Sequence, residues 1–215
     1  MSDDAGAPGH AGQQLPLEVP ERIIELSRPG VIWLGGEAVT LEYSGGEKAV
    51  ARLTGDFDES ATFQNVVAAG FGSVPAPFPR PTVGTLTVGG RNQKEVRGAI
   101  DRWYRREARN RIGRCLEVES ERLDLHASKV TIRDQKTRWG SCSTSGTLSF
   151  NWRLVIGPHH ALRYVVIHEL IHIRHHNHSK AFWADLTAAL PDWRESAKWL
   201  RANEGRLTRY KPRLK

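Results

Sequence analysis

Tyr164-Val165-Val166-Ile167-His168-Glu169-Leu170-Ile171-His172, followed by Asn177-His178-Ser179-Lys180-Ala181-Phe182-Trp183, is the stretch on which the reading of this chain turns. It contains H-E-x-x-H at His168, Glu169 and His172. Residues four apart lie on one face of a helix, so both imidazoles can reach one metal ion, with Glu169 beside a water at that ion. Two ligands hold zinc poorly. A third is at hand in His178, six residues past His172, where Asn177 and Ser179 mark a helix end and a bend. Three histidines leave a fourth tetrahedral position open, which is the catalytic rather than the structural arrangement. The apolar run Leu162, Val165, Val166 and Ile167 buries the helix where the motif needs it. His159, His160, His175 and His176 read instead as surface or supporting residues.

Working outward from the motif, Pro158 suits the first position of this helix, with Gly157 before it. Ser179 can cap a following helix through about Leu190, and Pro191 opens a last one carrying Trp193, Ala197 and Leu200 and ending near Gly205. Upstream, Val130 and Ile132 alternate as a strand, as do Leu148, Phe150 and Trp152, giving a hairpin-like β unit with Ser141 to Gly146 as its loop. Asn92 caps an earlier helix with Glu95 three residues on. Val96, Ile100, Trp103, Ala108 and Ile112 form its apolar stripe, Cys115 ends the pattern, and Arg97, Arg102, Arg105, Arg106, Arg109 and Arg114 lie on the other faces. Before it come short strands: Val31 to Leu34, then Val39, Leu41 and Tyr43 after the Gly35-Gly36 turn, then Ala49 to Leu53, then Leu86 and Val88. The proline-rich segment 74–81 reads as a loop and residues 1–16 as disordered.

The chain has 215 residues, 39% hydrophobic and 26% charged, which is ordinary for one generous globular unit. No apolar run approaches the ~20 residues that span a bilayer, and the start lacks a secretory signal, so the expectation is a cytoplasmic protein without a membrane partner. Its two cysteines, Cys115 and Cys142, are expected to be reduced there, Cys115 as a small core residue. Cys142 opens one alternative, because as a fourth ligand it would close the metal site and make it structural. The formal net charge is +7, with Arg194, Lys198, Arg201, Arg206, Arg209, Lys211, Arg213 and Lys215 near the C-terminus. A solvated tail at 206–215 is favoured over a grip on nucleic acid or another polyanion.

With these residues placed, the chain resembles the YgjP-like metallopeptidase family over about Gly90 to Arg201. The carriers are Trp103-Tyr104-Arg105, the run from Ile132 to Ser143 with Trp139-Gly140-Ser141-Cys142, then Phe150-Asn151-Trp152-Arg153-Leu154, the H-E-x-x-H helix, Asn177-His178-Ser179 and Phe182-Trp183. The layout is also similar to that of SprT-like proteases, which would imply partners on DNA. The resemblance implies an α+β, zincin-like domain at 91–205, with a small antiparallel sheet and one zinc ion per chain at His168, His172 and His178, and Glu169 as catalytic carboxylate. A β-rich region at 17–90 would precede it. Peptide hydrolysis is the leading expectation. Some relatives are regarded as pyrophosphatases acting on UTP, and a zinc-activated water attacks a carbonyl or a phosphoryl group alike. Arg138, Asn151 and Arg153 are the candidate substrate-binding residues, for a polyphosphate or a substrate carboxylate.

Overall fold

The computed structural model describes residues 30–55 and 84–211. The expectations for 1–16 and 74–81 fall outside these residues. The described chain runs β1 (Val31–Leu34), β2 (Glu37–Tyr43), β3 (Val50–Thr54), β4 (Thr85–Gly89), α1 (Gln93–Leu123), β5 (Lys129–Arg133), β6 (Gly140–Cys142) and β7 (Thr147–Asn151). A 3-10 turn (Trp152–Ile156), α2 (His159–Arg174), α3 (Lys180–Ala189) and α4 (Trp193–Thr208) follow. The class is α+β, as expected.

The first sheet has the order β1-β2-β4-β3, and its parallel β2–β4 pair makes it mixed. Gly35 and Gly36 both take positive φ in the two-residue β1–β2 turn, a backbone that side chains resist. Their amides donate to the carbonyls of Val155 and Ile156 at 2.7 and 3.0 Å, so this turn clasps the 3-10 segment that leads into α2. The strands share one apolar core with the helices, with Ile32, Leu34, Leu86 and Val88 joined to Ile100, Trp103 and Ile167. The β-rich region is thus packed onto the body that carries the site.

α1 starts where Asn92 accepts the Glu95 amide through its side chain. It runs past Cys115 to Leu123, two turns further than the apolar pattern alone implied, because the buried Leu116 and Glu119 continue the stripe. Glu119 is 3% exposed and accepts from Arg122 and Arg163, so a charged residue serves where an apolar one was sought. The arginine stripe is partly engaged by neighbouring groups while most of it stays exposed. Arg105 pairs with Asp101 and Asp134, Arg106 and Arg111 approach Glu107, and Arg102 donates to the Ala49 carbonyl.

α1 also anchors the edge of the first sheet. Among the described residues β1 is an edge strand, and such strands present unpaired backbone groups. The buried Tyr104 hydroxyl donates to the Trp33 carbonyl at 2.9 Å, accepts from the Trp33 amide at 3.3 Å, and meets the Tyr210 hydroxyl at 3.0 Å. Tyr104→Phe strands these buried groups, so unfolding in urea should show a loss of about 1–3 kcal/mol. Tyr210 is itself buried, and α4 extends to Thr208, so residues 206–210 belong to the fold and not to a solvated tail.

The second sheet corrects the hairpin expectation. β5 and β7 are parallel, and β6 pairs antiparallel with β7 to give the order β5-β7-β6, so this sheet too is mixed rather than antiparallel. The small polar stretch read as loop contains a strand, since Gly140, Ser141 and Cys142 carry no apolar alternation. Trp152, read as strand, opens the 3-10 turn instead. No helix among the described residues is long and apolar enough to cross a membrane.

Candidate metal centre

α2 presents its motif on a buried base. Val165, Val166, Ile167, Leu170 and Ile171 are all buried, which fixes the face that carries His168 and His172. The helix ends at Arg174, and the chain turns back so that His178 stands over it. The Nε2 atoms of His168, His172 and His178 lie 3.1–3.2 Å from one another. Imidazole nitrogens on a tetrahedral ion at ~2.05 Å sit roughly 3.3 Å apart, so the triangle matches a three-histidine metal site in size. Three Nε2 atoms so close cannot all be satisfied by hydrogen bonds to each other, whereas one cation satisfies them together. The three residues are a group able to hold a metal ion.

The surroundings prepare these rings. His172 donates from Nδ1 to the His175 carbonyl at 2.8 Å, which leaves its Nε2 lone pair for a ligand. His175 is tied in turn through Nε2 to Asp185 of α3, at 2.9 Å. Burial, then the neighbouring His172 and His178, pushes His168 down to about 3, so protons compete weakly for its nitrogen. Phe182, fully buried on α3, touches all three imidazoles, with ring centroids 4.9, 4.5 and 4.8 Å from His168, His172 and His178. Trp183 stacks on the exposed His178 at 5.4 Å and on Trp193 at 4.9 Å. Ser179 caps α3 through the Phe182 amide, which sets these aromatics in place.

Glu169 is 6% exposed, and burial raises its carboxyl to about 8 against an opposing pull from the Arg138 guanidinium. Gly140 of β6 is its close neighbour. A Cβ there would lie 2.6 Å from Glu169 Cγ and Oε1, so glycine is what lets the edge strand pass over the carboxylate. Gly140→Ala should displace Glu169 and lower kcat roughly a hundredfold while metal stoichiometry stays the same. Metal analysis beside steady-state kinetics separates the two effects.

The candidate substrate-binding residues divide. Asn151 is buried, and its amide donates to the Gln135 and Arg138 carbonyls at 2.7 and 3.4 Å while its oxygen accepts the Arg153 amide. Arg153 pairs with Asp134 and lies over the Trp152 ring at 4.4 Å. Both side chains hold the loop before β6. Arg138 remains exposed, and its charge reaches Glu169. Cys142 and Cys115 are free thiols, and Cys142 is not among the grouped ligands, its Sγ donating to the Ser143 carbonyl. Cys115 is a buried core residue, as expected, with its thiol pushed up to about 12 by burial.

His159 and His160 are half-buried rather than exposed. Burial lowers both to about 4, and His160 Nδ1 meets the buried Ser196 hydroxyl at 3.1 Å. His176 is exposed, and His175 supports the site through its carbonyl. Sequence reasoning missed that carbonyl, the role of Gly140 and the Phe182 hub. A glycine set between Trp139 and Ser141 was a legible hint of close approach; the His175 carbonyl left no sequence signal.

No curated protein is matched by the chain. Among solved structures, the metallopeptidase zymogen abylysin of Pyrococcus abyssi is similar at 19% identity and TM-score 0.39, over 48% of this chain and 99% of that one. Residues 81–203 match the family model described as YgjP-like, metallopeptidase domain. That match spans more than half of the 215 residues, so the chain belongs to the YgjP-like family and is a metal-dependent hydrolase.

Proposed function

We propose that the chain is a zinc metallopeptidase in which His168, His172 and His178 hold one zinc ion and Glu169 is the general base. The observation that carries this is the convergence of three Nε2 atoms at 3.1–3.2 Å with a buried carboxyl on the next residue of the same helix. Neutral imidazoles in a three-ligand set suit zinc and leave a position for reaction. When bound, zinc supplies a Lewis acid that acidifies water and polarises a substrate oxygen. Ionised beside a bound cation, whose charge would favour its carboxylate form, Glu169 would take the proton of the attacking water and return it to the leaving nitrogen. His172, held by the His175 carbonyl, and His178, held against Trp183, keep their lone pairs aimed at one point. Gly140 keeps the Glu169 carboxyl free to swing between water and leaving group.

A peptide is favoured by the strand beside Glu169. Among the described residues β6 is the edge of its sheet, so an extended chain can pair with its open side and pass the carboxyl. Cleavage of a nucleoside triphosphate on the same site is the second reading, motivated by the exposed Arg138. It loses Asn151 and Arg153, which are committed to the loop. The test is a paired assay of zinc-loaded protein on unstructured polypeptides and on a panel of nucleoside triphosphates. Chelator-sensitive peptide cleavage is expected. Release of phosphate or pyrophosphate without peptide cleavage would transfer the site to the second reading.

A further inference from the structure

A cleft of about 290 Å³ opens directly beside His168 and Glu169. Its lining is built by two helices and the edge strand. Tyr164 and Val165 come from α2, Gly140 from β6 with Trp139 just before it, and Leu200, Arg201 and Glu204 from α4. Positions 197, 200, 201 and 204 recur at three- and four-residue spacing, so they form one stripe of α4, and that stripe faces the cleft. Arg201 is exposed and forms no ion pair among the described residues. Several other guanidiniums are matched: Arg105 and Arg153 to Asp134, Arg122 and Arg163 to Glu119, Arg174 to Asp185. Arg201 lines the same cleft as Tyr164, His168 and Glu169.

We propose that this cleft is a substrate subsite for a residue bearing a single carboxylate, with Arg201 as its anion-binding group. The proposal rests on the peptidase reading. The walls are apolar where Leu200, Val165 and Trp139 line them, which suits the carbon body of an amino-acid residue. The guanidinium fork matches a carboxylate with two parallel hydrogen bonds. Arg138, also exposed, adds a second positive charge near Glu169. Glu204 sits one turn beyond Arg201 on the same wall and repels further negative charge there, which favours a single carboxylate over a polyphosphate. The carboxylate can be an acidic side chain or the free C-terminus of a peptide, because both offer the same two oxygens.

Binding decides the matter without turnover. Zinc-loaded Glu169→Gln protein is titrated with labelled pentapeptides of three kinds: one carrying an internal Asp or Glu with an amidated end, one neutral with a free C-terminus, and one neutral and amidated. At least one carboxylate-bearing kind should bind tenfold or more tighter than the neutral amide, and which one does so identifies the source. Arg201→Ala should erase that preference and Arg201→Lys restore part of it. Thermal unfolding should be unchanged, since the side chain is exposed. Equal binding of all three kinds, no binding at all, or a preference that survives in Arg201→Ala overturns the subsite. The peptidase reading is judged separately by polypeptide cleavage in wild-type protein: cleavage without any carboxylate preference sinks the subsite alone.

Discussion

Glu169→Gln is expected to bind zinc as the parent does and to lose about 10²–10⁴-fold in kcat. The amide keeps the shape and burial of the carboxyl but cannot accept a proton. Metal analysis of both proteins beside rate measurements checks the outcome, and full activity in the variant would remove Glu169 from the chemistry. The same substitution has a second signature in metal-free protein. Burial raises the Glu169 carboxyl from 4.5 to about 8, so the folded state holds this proton more tightly than the unfolded chain does. The resulting stability is fully present below pH ~4.5 and is lost as pH rises through about 8, at roughly 1.4 kcal/mol per pH unit. Above that window the folded protein carries a buried, desolvated carboxylate. Chelator-treated Glu169→Gln should therefore be the more stable protein at pH 9 and near parity at pH 4. Thermal melts across that range read the difference, and parallel curves would contradict the raised carboxyl.

Phe182→Ala is expected to cost more than an ordinary core truncation. Deleting a fully buried phenylalanine removes roughly 3–5 kcal/mol of packing. Here the lost ring is also the surface against which His168, His172 and His178 are all set. Zinc affinity should fall about 10–100-fold, the range seen when supports of metal ligands are removed. Chelator competition at a temperature where the variant is still folded separates the metal effect from the stability effect. Phe182→Leu, which keeps most of the volume, should recover much of the stability but less of the affinity, because it lacks the flat face that lies along His172. Unchanged affinity in Phe182→Ala would show that the imidazoles hold their triangle unaided.

The parts of this protein legible in its sequence are those in which one residue's chemistry fixes its place. His168, Glu169 and His172 announce a helix face, Asn92 and Ser179 announce caps, and Gly35-Gly36 announces a turn. The less legible parts are relations between residues. Arg153 near the motif invited a substrate role, yet Asp134 nineteen positions earlier claims it. Asn151 has the hydrogen-bonding capacity of a ligand, but that capacity is consumed by two loop carbonyls and one amide. β6 was hidden because its glycine, serine and cysteine give no alternation, and because glycine serves the Glu169 carboxyl rather than the strand. The helix α1 was cut short because a charged residue, Glu119, occupies a core position with two arginines to neutralise it.

The clasp between the Gly35-Gly36 turn and the carbonyls of Val155 and Ile156 has a consequence in time. It joins segments about 120 residues apart, and such pairings form late because the intervening chain must first be brought to order. During synthesis the first strands emerge long before their partner and wait for it. A late clasp would seat the segment leading into α2 near the end of folding, and with it the helix that carries His168 and His172. Zinc capture should accordingly lag behind the collapse of the chain in refolding experiments, and a refolding buffer without metal should still yield protein that takes up zinc in one rapid step.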